Sequence, residues 1–170
     1  TMGESLALRI ETLFNPVVKS IMALSKPSIS AVNGITAGGG VGLALASDIV
    51  VTAHSATFKM VFTPRLGCIP DMGSTWFLPR LIGQQKTMGM CLFGDSVDGP
   101  TAESWGMVWK SFPDEVFQQE ALNLATRLAN GPPLAIAELK RIIPLATEND
   151  FNTQLNLERD AQGRLGDSKD

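Results

Sequence analysis

Positions 28–53, SISAVNGITAGGGVGLALASDIVVTA, decide the fold. Two short apolar runs, 28–32 and 49–53, are rich in β-branched residues, the pattern of strands buried on both faces. Asn33-Gly34 ends the first run as a turn. Between the runs, Gly38-Gly39-Gly40 opens a helix of small residues that ends near Asp48. Strand, glycine turn, helix, strand is the order of a parallel crossover, because two parallel strands need a long connection between them. The chain is therefore read as α/β.

Working outward, residues 4–24 place Leu6, Ile10, Leu13, Val17, Ile21 and Leu24 three or four apart, which predicts a helix. Pro16 is expected to kink or restart it, and Lys26-Pro27 to end it. Residues 56–61 predict a short strand, 64–73 an irregular loop carrying Asp71, and 74–81 and 84–94 two helices. A short helix at 101–106 precedes an expected strand at 107–112. The remainder is helical: 114–130, stopped by Gly131-Pro132-Pro133, then 134–146 and an amphipathic 151–165. No repeat or linker interrupts this order. One domain is expected, with a core over 1–110 and a helical region of the same domain over 111–170.

The chain has 170 residues, 44% hydrophobic and 18% charged, enough for a sizeable core. A net charge of -3 gives no bulk attraction to nucleic acid or to an anionic membrane. An anionic ligand needs a local positive feature instead. Cys68, Cys91 and His54 form no metal-ligand spacing, so no metal is expected, and two thiols are too few for a disulfide scaffold. No run reaches membrane-spanning length and no signal peptide is read at the start, so the expected setting is the cytoplasm. Thr1 in place of Met predicts that the 170 residues belong to a longer product.

Two readings stand for Gly38-Gly39-Gly40. Peptide N–H groups at a helix N-terminus can hold an anion, or an oxygen that becomes anionic during reaction. Alternatively, the small residues let the helix pack closely against a neighbour. A dinucleotide-binding turn fits poorly, because Leu43 stands where the third glycine belongs and no acidic residue follows at the required distance. Two readings also stand for Asp71, in CIPDMGSTW (68–76). In an apolar pocket it can serve as a general base; as a helix N-cap it has a lowered pKa and is a poor base. Capping is the commoner use of aspartate in that place. His54 is read as a surface turn residue and Asp48 as a structural helix end without an evident partner. Ser74 and Thr75 have no histidine in sequence range, and the methionines are read as packing.

Taken in order, KPSISAVNG (26–34), Ala37-Gly38-Gly39-Gly40, GCIPDMGSTW (67–76), LPRLIG (78–83) and AESWGMV (102–108) resemble the crotonase (enoyl-CoA hydratase/isomerase) superfamily. The likeness covers nearly the whole chain. It implies a partial crotonase-like fold, a ββα superhelix core followed by helices that pack between subunits in a homotrimer or hexamer. It implies an acyl-CoA thioester as substrate, the coenzyme A being carried by the substrate and no separate cofactor being needed. The backbone N–H of Gly39 would then be one of two oxyanion donors to the thioester oxygen. The second donor would come from a segment before Thr1, and the C-terminal end of the family would also lie outside the chain.

The two glutamates of the family's hydratases would fall on Gly42 and near Phe62 or Thr63, neither acidic, which disfavours a simple hydratase. Asp71 matches the aspartate with which isomerases of the superfamily move protons, and the wording around it most resembles the 1,2-epoxyphenylacetyl-CoA isomerase branch of phenylacetate breakdown. Gly38, Phe62, Leu66 and Trp76 are the expected substrate-binding residues, with core packing as the alternative for the last three. Competing readings are an aryl-CoA dehalogenase using Asp71 as nucleophile, and a non-catalytic binding subunit.

Overall fold

The computed structural model describes residues 1–168. The chain begins with α1 (Met2–Arg9), a π-helical turn over Ile10–Phe14, and α2 (Asn15–Met22). The helix is thus interrupted and restarts at Pro16, one of the two outcomes expected there. Pro16 sits in the first turn of α2, where its missing N–H does no harm, and the wider π turn before it absorbs the offset.

The strands β1 (Ile29–Val32) and β2 (Ile35–Ala37) follow, separated by the Asn33-Gly34 corner. Then come α3 (Gly39–Leu45), β3 (Ile49–Ala53) and β4 (Thr57–Lys59). A π-helical turn over Phe62–Leu66 leads through a loop to α4 (Ser74–Phe93). Next are β5 (Ser96–Asp98), α5 (Gly99–Ser104), β6 (Lys110–Phe112) and α6 (Asp114–Ala129). The chain ends with α7 (Pro133–Ile142), a 3₁₀ turn over Ile143–Thr147, and α8 (Phe151–Gly166).

Parallel pairing of β1 with β3, Ile29 opposite Ile49, realises the crossover expected from the sequence. β6 joins β3 on its other side, giving the order β1-β3-β6. A second sheet has the order β2-β4-β5, parallel between β2 and β4 and antiparallel between β4 and β5. The segments β1-β2-α3 and β3-β4-α4 are therefore successive ββα turns, each adding one strand to each sheet. β6 covers only the second half of the strand expected at 107–112, and two further strands are not expected from the sequence. β2 and β5 are three residues each, and their residues become extended only through pairing with β4.

Two compact units are present: Thr1–Ala23 with Ser28–Asn123, and Leu24–Pro27 with the chain from Leu124 on. In the first unit Val41, Val51, Phe58, Met60, Leu78 and Ala102 are fully buried. Each of the large ones contributes about 1.5–3 kcal/mol by leaving water. They fix α3 against the two sheets and α4 against α3, and so fix the two segments described next. In the second unit, Ile142 and Ala161 are buried where α7 meets α8. Glu138 accepts hydrogen bonds there from Arg141 and Arg164, and Asp150 caps α8 by accepting from the Thr153 N–H at 3.0 Å.

Candidate active site

Gly38 turns the chain out of β2 with φ 56° and ψ −127°, a conformation open in practice only to glycine. Its N–H donates to the Lys59 carbonyl at 2.9 Å, which ties the turn to β4. The Phe62 ring closes over it, 3.4 Å from where a side chain at position 38 would begin. Helix α3 then opens at Gly39. The Gly39 N–H lies in the first turn, where the helix supplies no acceptor, at the positive end of the peptide dipoles.

The loop carrying Asp71 descends onto this turn. A Cβ on Gly39 would stand 3.0 Å from Asp71 Oδ1 and 3.1 Å from Met72 Cγ. A Cβ on Gly42, one turn later on the same face, would stand 2.4 Å from the Met72 carbonyl oxygen and 2.7 Å from Ser74 Oγ. Position 42 must be glycine for the loop to come this close, whereas at position 39 the Asp71 and Met72 side chains would have to give by a few tenths of an ångström. Met72 itself has φ 53°, the only positive φ outside glycine among the described residues, and Gly73 follows at 79°.

The capping reading of Asp71 does not survive. Gly73 occupies the N-cap position of α4, with no side chain bonded to the helix end. Asp71 contributes only its main-chain carbonyl, which accepts from the Ser74 N–H at 3.0 Å. Its carboxylate oxygen Oδ1 is buried with no hydrogen-bond partner, and so is Ser74 Oγ. Loss of water pushes the Asp71 carboxyl above its ordinary value, opposed in part by a contact with its own peptide N–H. A carboxylate perturbed in this direction is a stronger base than aspartate in water.

The hydratase positions hold no second carboxylate. Gly42 has no space for any side chain, Phe62 covers Gly38, and Thr63 Oγ1 donates to the Cys68 carbonyl at 3.2 Å. Leu66, 65% exposed, belongs to no core. Trp76, 38% exposed, lies beneath the Arg80 guanidinium at 4.0 Å and meets Phe77 edge-on. Gly38, Gly39, Phe62 and Asp71 thus come together, while Leu66 and Trp76 stand at the surface. His54 is an exposed turn residue, as expected. Asp48 has the partner that the sequence did not reveal: its Oδ2 accepts from the N–H and the hydroxyl of Ser28, both at 2.7 Å. Met72 and Ser74 were missed as parts of the site. The available signal was Gly42, a glycine one helical turn beyond Gly39 that marks a close approach by another segment.

Among the described residues, no group of three or more His, Cys, Asp or Glu could hold a metal ion, and no helix is long and apolar enough to cross a membrane.

Residues 7–170 match the family model described as enoyl-CoA hydratase/isomerase. A 1,2-epoxyphenylacetyl-CoA isomerase of Escherichia coli is 44% identical over 165 residues, 97% of this chain and 63% of that protein. A carnitinyl-CoA dehydratase of Citrobacter koseri is 39% identical over 75% of this chain and 49% of its own length. Among solved structures, an enoyl-CoA hydratase from Bacillus anthracis superposes with a TM-score of 0.91 at 29% identity, covering 98% of this chain and 64% of that one. The chain thus spans less than two thirds of the length of these relatives.

Proposed function

This chain belongs to the enoyl-CoA hydratase/isomerase family, and from that premise we propose that it supplies the catalytic half-site of an acyl-CoA isomerase. Asp71 is the base that moves the proton, and the Gly39 N–H is a donor to the thioester oxygen. The observation that carries this reading is the Asp71 carboxylate, desolvated and unbonded at Oδ1, lying against Gly39 while position 42 admits no second carboxylate. A hydratase needs two acids to activate and deliver water; one base suffices to shift a double bond.

The steps balance on that one base. With a 3-enoyl thioester, Asp71 takes a proton from the carbon beside the thioester. The electron pair moves onto the thioester oxygen, which the Gly39 N–H steadies, a donor of the kind worth about 3 kcal/mol of barrier. The Asp71 carboxyl, whose proton can exchange with solvent in the meantime, then delivers a proton to the far end of the allyl system, giving the 2-enoyl thioester. The 44% identity to the E. coli enzyme supports an epoxide of phenylacetyl-CoA as a further substrate. Gly38 and Phe62 form the wall beside the reacting carbon in this reading. A homotrimer or hexamer in the cytoplasm belongs to the same proposal and rests on the family likeness.

The test follows deuterium uptake and double-bond migration by the full-length protein acting on a 3-enoyl-CoA thioester in deuterated water. Asp71→Asn should lower turnover by about 10²–10⁴-fold, the usual contribution of a positioned general base, while the thioester still binds. Undiminished migration in that variant would remove Asp71 from the role.

A further inference from the structure

The proposed base stands on a loop, yet its carboxylate has a fixed place over α3, and something must hold it there. We propose that Met72 is a positioning residue, latched into Gly42 so that Asp71 Oδ1 is kept from water and directed at the reacting atoms. The inference rests on the assignment of Asp71 as base and goes beyond it.

Three observations carry it. Met72 is the only non-glycine among the described residues with positive φ, a conformation that a long unbranched side chain adopts only when its surroundings enforce it. Its carbonyl oxygen and Cβ occupy the space where a Gly42 side chain would be, at 2.4 and 2.8 Å from that Cβ position. Its Cγ reaches back to Gly39, 3.1 Å from the corresponding point there, beside Asp71 Oδ1 at 3.0 Å. Met72 therefore spans one helical turn of α3 with its backbone at one end and its side chain at the other. Asp71 Oδ1, itself buried, approaches the same point at position 39 as that side-chain end, and in this proposal the Met72 methylenes keep water from it.

The consequence is a division of labour between neighbours. Asp71 carries the proton, and Met72 sets where the carboxylate stands and how little water reaches it. Loosening the latch leaves thioester binding intact, lowers the rate, and readmits water to the carboxylate. Rehydration lowers the carboxyl pKa, so the base stays ionised to lower pH and the acid limb of the rate profile moves downward.

The experiment compares Met72→Gly, Met72→Leu and Gly42→Ala in the full-length protein, reading kcat, KM and the pH profile of double-bond migration. Met72→Gly keeps the left-handed backbone accessible while removing the methylenes. It should lower kcat at least tenfold, leave KM within about twofold, and move the acid limb to lower pH. Met72→Leu retains Cβ and Cγ and should recover most of the rate and the original acid limb. Gly42→Ala should resemble Met72→Gly in both readouts, with melting curves confirming that it folds. A Met72→Gly enzyme with wild-type kcat and acid limb, beside an inactive Asp71→Asn, would overturn the latch alone. So would a slow Met72→Gly enzyme whose acid limb has not moved. Turnover that survives Asp71→Asn would bring down both the base and its latch.

Discussion

Asp71 Oδ1 lies 3.0 Å from the point where a side chain on Gly39 would begin. Oδ1 thus faces the helix turn that carries the proposed oxyanion donor, buried and without a hydrogen-bond partner of its own. Function and stability pull in opposite directions here. The folded-state pKa of Asp71 is raised, so the protonated carboxyl favours the fold. That stabilisation is complete below the unfolded-state pKa and disappears as pH rises through the folded-state value. Asp71→Asn, which carries no charge at any pH, should therefore melt above the wild type at neutral pH. The gap should close as the pH is lowered and the wild-type carboxyl takes up its proton. Thermal melts from acid to neutral pH measure this directly, and a gap independent of pH would contradict the desolvation argument.

Ser74 offers a second test of the same pocket. Its side chain is fully buried and its hydroxyl has no partner, although it stands at the start of α4 within a turn of Asp71. A buried hydroxyl without a hydrogen bond costs about 1–3 kcal/mol, whereas removing one oxygen opens little space. Ser74→Ala should be neutral or more stable than the wild type, by up to about 1 kcal/mol. Urea denaturation with an unchanged m value is the check. A clear loss of stability would mean that the hydroxyl has a partner in solution, with Asp71 the first candidate.

The pieces of the site were legible in the sequence, and their meeting was not. The run at Ile49–Ala53 announces itself because burial on both faces selects β-branched residues, whereas Ile29–Val32, expected to be buried on both faces, leaves Ala31 exposed and is marked only by its β-branched ends. Gly38-Gly39-Gly40 and Asp71 likewise stand out by residue type, and the order of motifs along the chain pointed to the family. By contrast, Ile35–Ala37 and Ser96–Asp98 are held extended by Thr57–Lys59, a partner that local propensity does not see. The capping reading of Asp71 failed for a related reason. Positive φ at Met72 and Gly73 turns the carboxylate away from the α4 terminus and onto α3. Methionine has no preference for that conformation, so nothing at position 72 predicts it; the clue lay across the contact, in Gly42.

The division of α4 is a last feature read from sequence, and it bears on the loop that carries Asp71. Residues 74–81 and 84–94 read as separate helices, and within the single span Ser74–Phe93 the chain breaks at Gly83, with φ 77° and ψ 164°. That region of backbone space is closed to residues with a Cβ, yet a Cβ at position 83 would meet no atom within 4 Å. Gly83→Ala therefore isolates the torsional cost from any steric one, and it should destabilise the protein by about 1–3 kcal/mol. The first half of the helix, anchored by buried Phe77 and Leu78, stays in place, so Asp71 keeps its position. The expected result is a lower denaturation midpoint with kcat nearly unchanged at temperatures where the variant is folded. A stability equal to the wild type would mean that the chain straightens through position 83 at little cost, and the break would then be a property of glycine alone rather than of the packing around it.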